Sequence, residues 1–212
     1  RSRRNFSRNL RRALNGIRAS RSMKIQKNVK LAKYSTFHTG GPAEYFALIK
    51  SIDDLKKAVD FAKSKKLKIH VIGNGSNILL PDKGLLGLTL KIEIAGCKFI
   101  KEDSYTRIIA GAGESWDKIV ARAVKSGLRG IENLSLVPGT FGGAVYQNIG
   151  AYGVELKDVL ESIEIFDKTD NTFKTLSMDE CRFGYRGSIF QNIEGKEFII
   201  IRGALKLSHN SS

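Results

Sequence analysis

Apolar positions along this chain recur at two periods, and the changes between them mark out elements. Glu44–Ile49 reads as a strand, and Ser51 followed by Asp54 has the pattern of a capping box. Ile52, Leu55, Val59 and Ala62 then follow at helical spacing to about Lys66, with early acids that suit the positive end of a helix. Strands are expected at Lys68–Ile72, Ile78–Leu80 and Leu85–Ile92, with Gly73–Asn77 a glycine-containing loop between the first two. A second unit starts near Tyr105. It has a short strand at Arg107–Ala110 and a helix at Glu114–Ser126 whose apolar face carries Trp116, Ile119, Val120 and Ala123. Ser162–Asp167 and Thr172–Leu176 read as a hairpin around Thr169-Asp170-Asn171. Ser177 suits the cap of a short helical turn, and Phe198–Leu207 is the last expected strand. The class is α+β in two lobes, placed at residues 23–94 and 95–212.

Between the two halves of the second unit the pattern lapses. Residues 127–153 contain seven glycines in 27 positions, too many for helix or strand throughout. Long glycine-laden loops inside compact domains usually carry function.

Composition changes this picture in one respect. The 212 residues carry a net charge of +15, but residues 1–30 hold eleven Lys and Arg and no acid, which leaves +4 for the rest. The excess belongs to an N-terminal segment, so no nucleic-acid partner is expected for the body. Residues 1–22 read as a basic, disordered tail, as a targeting peptide, or as upstream sequence ahead of a start at Met23. No apolar run reaches the ~20 residues of a membrane span. Two distant cysteines suit a reducing compartment, and three scattered histidines give no metal site.

Two segments have the makings of a ligand site. Gly73-Asn74-Gly75-Ser76-Asn77 follows a strand, offers main-chain N–H groups and adds side-chain donors at Ser76 and Asn77, as phosphate-binding concavities do. A tight turn between strands is the plainer alternative. The loop is neither the dinucleotide-fold fingerprint nor a Walker loop. Pro138–Gly153 clusters small residues where a bulky ligand would meet main chain, with amides at Gln147 and Asn148.

Pro138-Gly-Thr-Phe-Gly-Gly-Ala-Val-Tyr-Gln-Asn-Ile-Gly-Ala-Tyr-Gly-Val-Glu155 resembles the signature of the UDP-N-acetylenolpyruvoylglucosamine reductases. Tyr34-Ser-Thr-Phe-His-Thr-Gly-Gly-Pro-Ala43 is similar to that family's N-terminal motif, and Gly73–Asn77 to its flavin-phosphate loop. Cys181-Arg-Phe-Gly-Tyr-Arg-Gly-Ser-Ile-Phe190 resembles its active-site Tyr-Arg segment. The four occur in order across residues 34–190. The resemblance implies the two-lobed FAD-binding fold of the vanillyl-alcohol-oxidase (PCMH) type, spanning about residues 40–208, with FAD held noncovalently. The pyrophosphate is then expected at Gly73, Asn74, Gly75, Ser76 and Asn77. The flavin is expected along Pro138, Gly139, Thr140, Gly142, Gly143, Gln147, Asn148, Gly150, Ala151, Tyr152 and Gly153. A reaction is implied as well: hydride passes from NADPH through FAD to UDP-N-acetylglucosamine enolpyruvate, giving UDP-N-acetylmuramate for peptidoglycan synthesis in the cytoplasm. Arg186 becomes the catalytic residue, a fixed guanidinium for charge developing on the substrate carboxylate, and Tyr185 a substrate-binding hydroxyl. The family's serine proton donor and a glutamate lie in a further C-terminal domain. With the last residue at Ser212, the chain is expected to be a fragment or a truncation. Two rival readings are a flavin-free protein using its basic tail on nucleic acid or anionic membrane, and a flavoprotein of the same fold with another substrate.

Overall fold

The computed structural model describes residues 23–209. The basic segment 1–22 and its expected readings lie outside the described residues.

The first sheet holds β1 (Ile25–Lys30), β2 (Pro42–Ile49), β3 (Ile69–Ile72) and β4 (Leu85–Ile92), in the order β1-β2-β4-β3. β1 is antiparallel to β2, whereas β2 and β3 both lie parallel to β4. Parallel strands need a crossover, and α1 (Ile52–Ser64) supplies it between β2 and β3. Leu55, Ala58, Val59 and Ala62 of α1 are buried at i, i+3, i+4 and i+7. Ser51 caps the helix, its Oγ accepting from Asp54 N at 3.1 Å. Asp54 reaches back one residue further than a capping box would, accepting from Lys50 N at 3.1 Å.

The second sheet collects β5 (Cys97–Lys101), β6 (Tyr105–Gly111), β10 (Leu160–Asp167), β11 (Thr172–Leu176) and β12 (Phe198–His209), in the order β11-β10-β12-β6-β5. All its pairings are antiparallel, and the two-residue β7 (Leu128–Arg129) joins the end of β12. Between β6 and β10 run α2 (Trp116–Lys125), α3 (Phe141–Gln147) and a small hairpin of β8 (Gly150–Ala151) with β9 (Val154–Glu155). A short helix, α4 (Met178–Cys181), follows β11. Ser177 caps it in a full capping box with Glu180.

One apolar core runs through both sheets: Leu88 and Leu90 of β4 belong to the same cluster as Ile108, Trp116, Phe141, Ile163 and Leu205. A smaller cluster of Leu31, Ala43, Phe46, Ile72 and Leu80 lies apart from it. Phe46 and Ala47, neighbours on β2, enter different clusters, as strand alternation requires. Tyr34 stacks on Phe46 with ring centroids 4.6 Å apart, which ties the Tyr34–Ala43 motif to the smaller cluster.

The structure departs from the pattern-based elements at four places. Ile78–Leu80 is not a strand. Its alternation is genuine, with Leu80 buried and Leu79 exposed, but the segment packs on the smaller cluster without joining a ladder. β1 and β5 were not expected. Both are edge strands with mixed, half-exposed sequences, so sheet pairing rather than apolar alternation reveals them. The glycine-rich stretch contains α3, whose Phe141, Ala144 and Val145 are buried at i, i+3 and i+4 despite two glycines.

Candidate functional site

The Gly73–Asn77 loop leaves the end of β3 and is gripped by two other segments. Thr36 lies on one of them: its N–H donates to Gly75 O at 3.1 Å and its hydroxyl to the same carbonyl at 3.2 Å. Gly75 has φ +68, and a Cβ there would fall 2.0 Å from Tyr34 O. Only glycine satisfies both demands. Its lack of a side chain is therefore needed by the fold itself, and it does not report on a ligand. The Pro138–Gln147 segment makes the other contact. Ser76 Oγ donates to Pro138 O at 3.1 Å, and Asn77 Nδ2 donates to Gln147 Oε1 at 2.7 Å. A Cβ on Gly73 would meet Thr140 Oγ1 at 2.8 Å.

Thr140 is the N-cap of α3, its Oγ1 accepting from Gly143 N at 3.3 Å. Gly142 is pressed against the end of β6, its N–H donating to Ala112 O at 2.9 Å, so its smallness too serves packing. Gly139, Gly143 and Gly153 are different. A Cβ on Gly139 would meet only Ser76 Oγ at 3.1 Å, one on Gly143 only Thr140 Oγ1 at 3.6 Å, and one on Gly153 nothing within 4 Å. Main chain is open to a flat ligand there. Tyr152, beside Gly153, is 89% exposed, and Tyr146 of α3 is also exposed. Gly150 and Ala151 form β8, whose hairpin brings Glu155 next to the third segment.

That third segment is a two-residue turn. Gly184 and Gly187 exchange both main-chain hydrogen bonds, at 3.0 and 3.2 Å, leaving Tyr185 and Arg186 at the tip. Arg186 takes the left-handed conformation, φ +53. Its guanidinium lies 5.7 Å from the Tyr185 ring centroid, and its Nη1 would stand 3.3 Å from a Cβ on Gly150. Glu155 is close enough to feel its charge. The Glu155 carboxyl is held below its usual range first by the hydrogen bond from Lys157 and further by Asn148 and the Arg186 charge. The site residues expected from sequence thus come together in one connected region: the first loop touches the second, and the second touches the Tyr185–Arg186 turn.

Asn148 sits in that region but does not face outward. Expected to offer its amide to a flavin, it is completely buried at the left-handed C-cap of α3, and its side chain is taken up by protein. Nδ2 donates to Gly184 O at 2.9 Å, and Oδ1 accepts from Lys157 N at 3.0 Å. Two further features were not read from sequence. Ser188, also buried, donates its hydroxyl to Tyr146 O at 2.7 Å. A cavity of about 380 Å³ opens where Lys33, Ser35, Thr36 and His38 face Asn74 of the first loop and Lys91 of β4. No acid lines it, so it suits an anion, and it extends the first loop toward the Tyr34–Thr36 motif. The run Tyr34-Ser35-Thr36 was the available signal. Lys91 could be found only from the strand register. Among the described residues, no group of His, Cys, Asp and Glu could hold a metal ion.

Residues 43–177 match the family described as "FAD binding domain". The chain is 39% identical over 188 residues to the UDP-N-acetylenolpyruvoylglucosamine reductase of Pseudomonas aeruginosa, covering 88% of this chain and 55% of that protein. Its identity to the enzyme of the same name from Ralstonia nicotianae is 40% over 180 residues, with 83% and 52% covered. The chain therefore spans about half the length of the curated relatives it matches. The crystal structure of UDP-N-acetylenolpyruvylglucosamine reductase from Thermus caldophilus superposes with a TM-score of 0.72 at 29% identity, covering 90% of this chain and 64% of that one. Cholesterol oxidase from Brevibacterium sterolicum, at 12% identity and TM-score 0.61, shares the fold alone. The fold is the FAD-binding fold of the vanillyl-alcohol-oxidase (PCMH) type.

Proposed function

The chain belongs to the FAD binding domain family, and from that premise we propose that it holds FAD noncovalently and takes part in reducing UDP-N-acetylglucosamine enolpyruvate with NADPH, in cytoplasmic peptidoglycan synthesis. The observation that carries this reading is the contact between three segments far apart in sequence: Gly73–Asn77, Pro138–Gly153 and the Tyr185–Arg186 turn.

The residues suit the cofactor. Gly73–Asn77 offers main-chain N–H groups and the second amide hydrogen of Asn77 to a pyrophosphate, with the positive charge of Lys33 nearby; the Ser76 hydroxyl is given to Pro138 O and Lys91 is paired with Glu93. Gly139, Gly143 and Gly153 leave main chain uncovered, so a planar ring can lie against it. FAD, when bound, would supply hydride transfer between NADPH and the enolpyruvyl group. Everything else falls to protein side chains. Arg186, always charged and able to bind two oxygens with its planar fork, would meet the substrate carboxylate as negative charge grows there. Glu155 lies near enough to feel the guanidinium's charge but is itself paired with Lys157. Tyr185, 87% exposed at the tip, can present its hydroxyl to the substrate. We assign the proton donor to no residue of this chain.

Titrating FAD into the protein while following flavin absorbance and fluorescence tests the first half. NADPH oxidation dependent on UDP-N-acetylglucosamine enolpyruvate tests the second. Bound flavin with no response to that substrate would favour another flavoprotein of the same fold. Absence of flavin binding, with salt-sensitive binding to DNA or anionic vesicles, would move the function to the basic tail.

A further inference from the structure

We propose that Asn148 is the positioning residue for Arg186, joining the end of α3 to the turn that carries the guanidinium. The inference rests on the reading of Arg186 given above, but its structural half can be tested independently.

The turn at Gly184–Gly187 has little of its own to hold it. Two main-chain hydrogen bonds close it, both tip residues are exposed, and one of them sits at positive φ. An isolated two-residue turn of this kind interconverts with open forms easily, because two hydrogen bonds do little against the chain entropy they restrict. Three side chains outside the tip restrain it. Ser188 Oγ donates to Tyr146 O at 2.7 Å, fixing the turn's exit to α3, and Gln191 Nε2 donates to Arg186 O at 3.3 Å. Asn148 fixes the entry. Its Nδ2 donates to Gly184 O, the same carbonyl that accepts from Gly187 N inside the turn. Both ends of the turn are therefore referred to the last residues of α3.

The burial of Asn148 makes this contact costly to lose. Its side chain has no exposure, and its oxygen is already used by Lys157 N at 3.0 Å. With water excluded, the amide hydrogens can go only to protein, to Gly184 O and to the Glu155 carboxylate beside it, so the bond to Gly184 O is costly to lose. Asparagine also tolerates the left-handed backbone, φ +44, that ends the helix at this point. The same short helix carries Gln147, which accepts from Asn77 of the first loop. One rigid element thus spaces Arg186 from the loop proposed for the pyrophosphate.

Two substitutions separate the side chain from the backbone. Asn148→Gly keeps the left-handed conformation accessible and removes the amide. Asn148→Asp keeps the shape and the acceptor for Lys157 N but cannot donate to Gly184 O. Amide hydrogen exchange on the chain itself is the first readout. The N–H groups of Gly184 and Gly187 should exchange at least 10-fold faster in both variants, while amides of β10 and β12 keep their protection. Equal acceleration across the sheet would make Asn148 a general packing residue, and unchanged exchange at Gly184 and Gly187 would remove it from the turn; either result overturns the proposal. The second readout uses stopped-flow absorbance on the FAD-loaded protein with any sequence its gene encodes after residue 212. Flavin reduction by NADPH should stay within twofold. Flavin reoxidation by UDP-N-acetylglucosamine enolpyruvate should slow at least 10-fold in both variants, and Asn148→Asp at the wild-type rate would refute a role for the donor. Arg186→Ala, run alongside, keeps the two ideas apart. If it leaves reoxidation unchanged, the role given to Arg186 fails, whatever exchange shows. If it slows reoxidation and the Asn148 variants do not, only the positioning role fails.

Discussion

The Gly73–Asn77 loop and the Tyr185–Arg186 turn both offer polar groups at the same site, yet they are held in opposite ways. The first is locked by main chain. Gly75 lies against the Tyr34 carbonyl with no room for a Cβ, and Thr36 binds its carbonyl twice. The second is locked by remote side chains, Asn148, Ser188 and Gln191, while its own tip is exposed. A loop of the first kind loses stability and site together when altered. A turn of the second kind can lose its chemistry with the fold untouched.

The largest effect should therefore come from a substitution that stability does not register. Arg186→Ala in the FAD-loaded protein should slow hydride delivery to the enolpyruvate by roughly 10²–10³-fold, the cost of one lost transition-state contact. The side chain is exposed and its backbone already left-handed, so Arg186→Ala and Arg186→Gly should both unfold in urea within about 1 kcal/mol of wild type. A larger loss would mean that the tip is part of the framework after all. Gly75→Ala should behave in the opposite sense. Its Cβ falls 2.0 Å from a carbonyl oxygen at φ +68, so a loss of about 2–3 kcal/mol in urea unfolding is expected, with FAD affinity falling beside it. Unchanged stability with lost affinity would show that the loop serves the ligand alone.

The same contrast explains how much could be read beforehand. Nearly every main element followed from periodicity, because α1, α2, β4 and β12 each bury a continuous apolar set. The edge strands β1 and β5 did not, since half-exposed strands carry little alternation. At the site, glycine density located both loops but could not separate their uses. Gly75 and Gly142 are small because Tyr34 O and Ala112 press on them, whereas Gly153 faces open space. A sequence shows that a side chain is missing and leaves unsaid what occupies its place. The direction of the Asn148 side chain was hidden for a related reason. An amide among glycines suggests a ligand contact, and only the pairing of α3 with residue 184, 36 positions away, reveals where it points.

Smaller effects should follow where the two segments meet. The bond from Asn77 Nδ2 to Gln147 Oε1 joins exposed side chains, so Asn77→Ala should cost about 0.5–1.5 kcal/mol. A double-mutant cycle with Gln147→Ala should recover about 0.5 kcal/mol or more as coupling. No coupling would leave the Ser76 bond to Pro138 O as the polar contact joining the two segments.

The smallest expected effect is at Cys181, five residues before Arg186 and completely buried in α4. Burial, with the charge of Glu180 added, pushes its thiol up to about 12. Cys97 on β5 is pushed up to about 11, again first by burial. Since the thiolate is the reacting form, its fraction at pH 7.5 is on the order of 10⁻³ or less at both sites. Iodoacetamide should therefore label neither thiol in the native protein over minutes, and both rapidly in urea. The sign of the linkage gives a second check. A thiol whose pKa is raised by folding contributes its full stability below the unfolded value, so stability should decline as pH rises above about 8.5, where the unfolded form ionises and the folded form does not. Cys181 also sharpens the contrast between the two segments. If the turn is held only at its ends by α3, Asn148→Gly should free the tip and leave Cys181 unlabelled. Fast labelling of Cys181 in that variant would mean that opening spreads back into α4, so that the turn, like the glycine loop, cannot be disturbed apart from the fold.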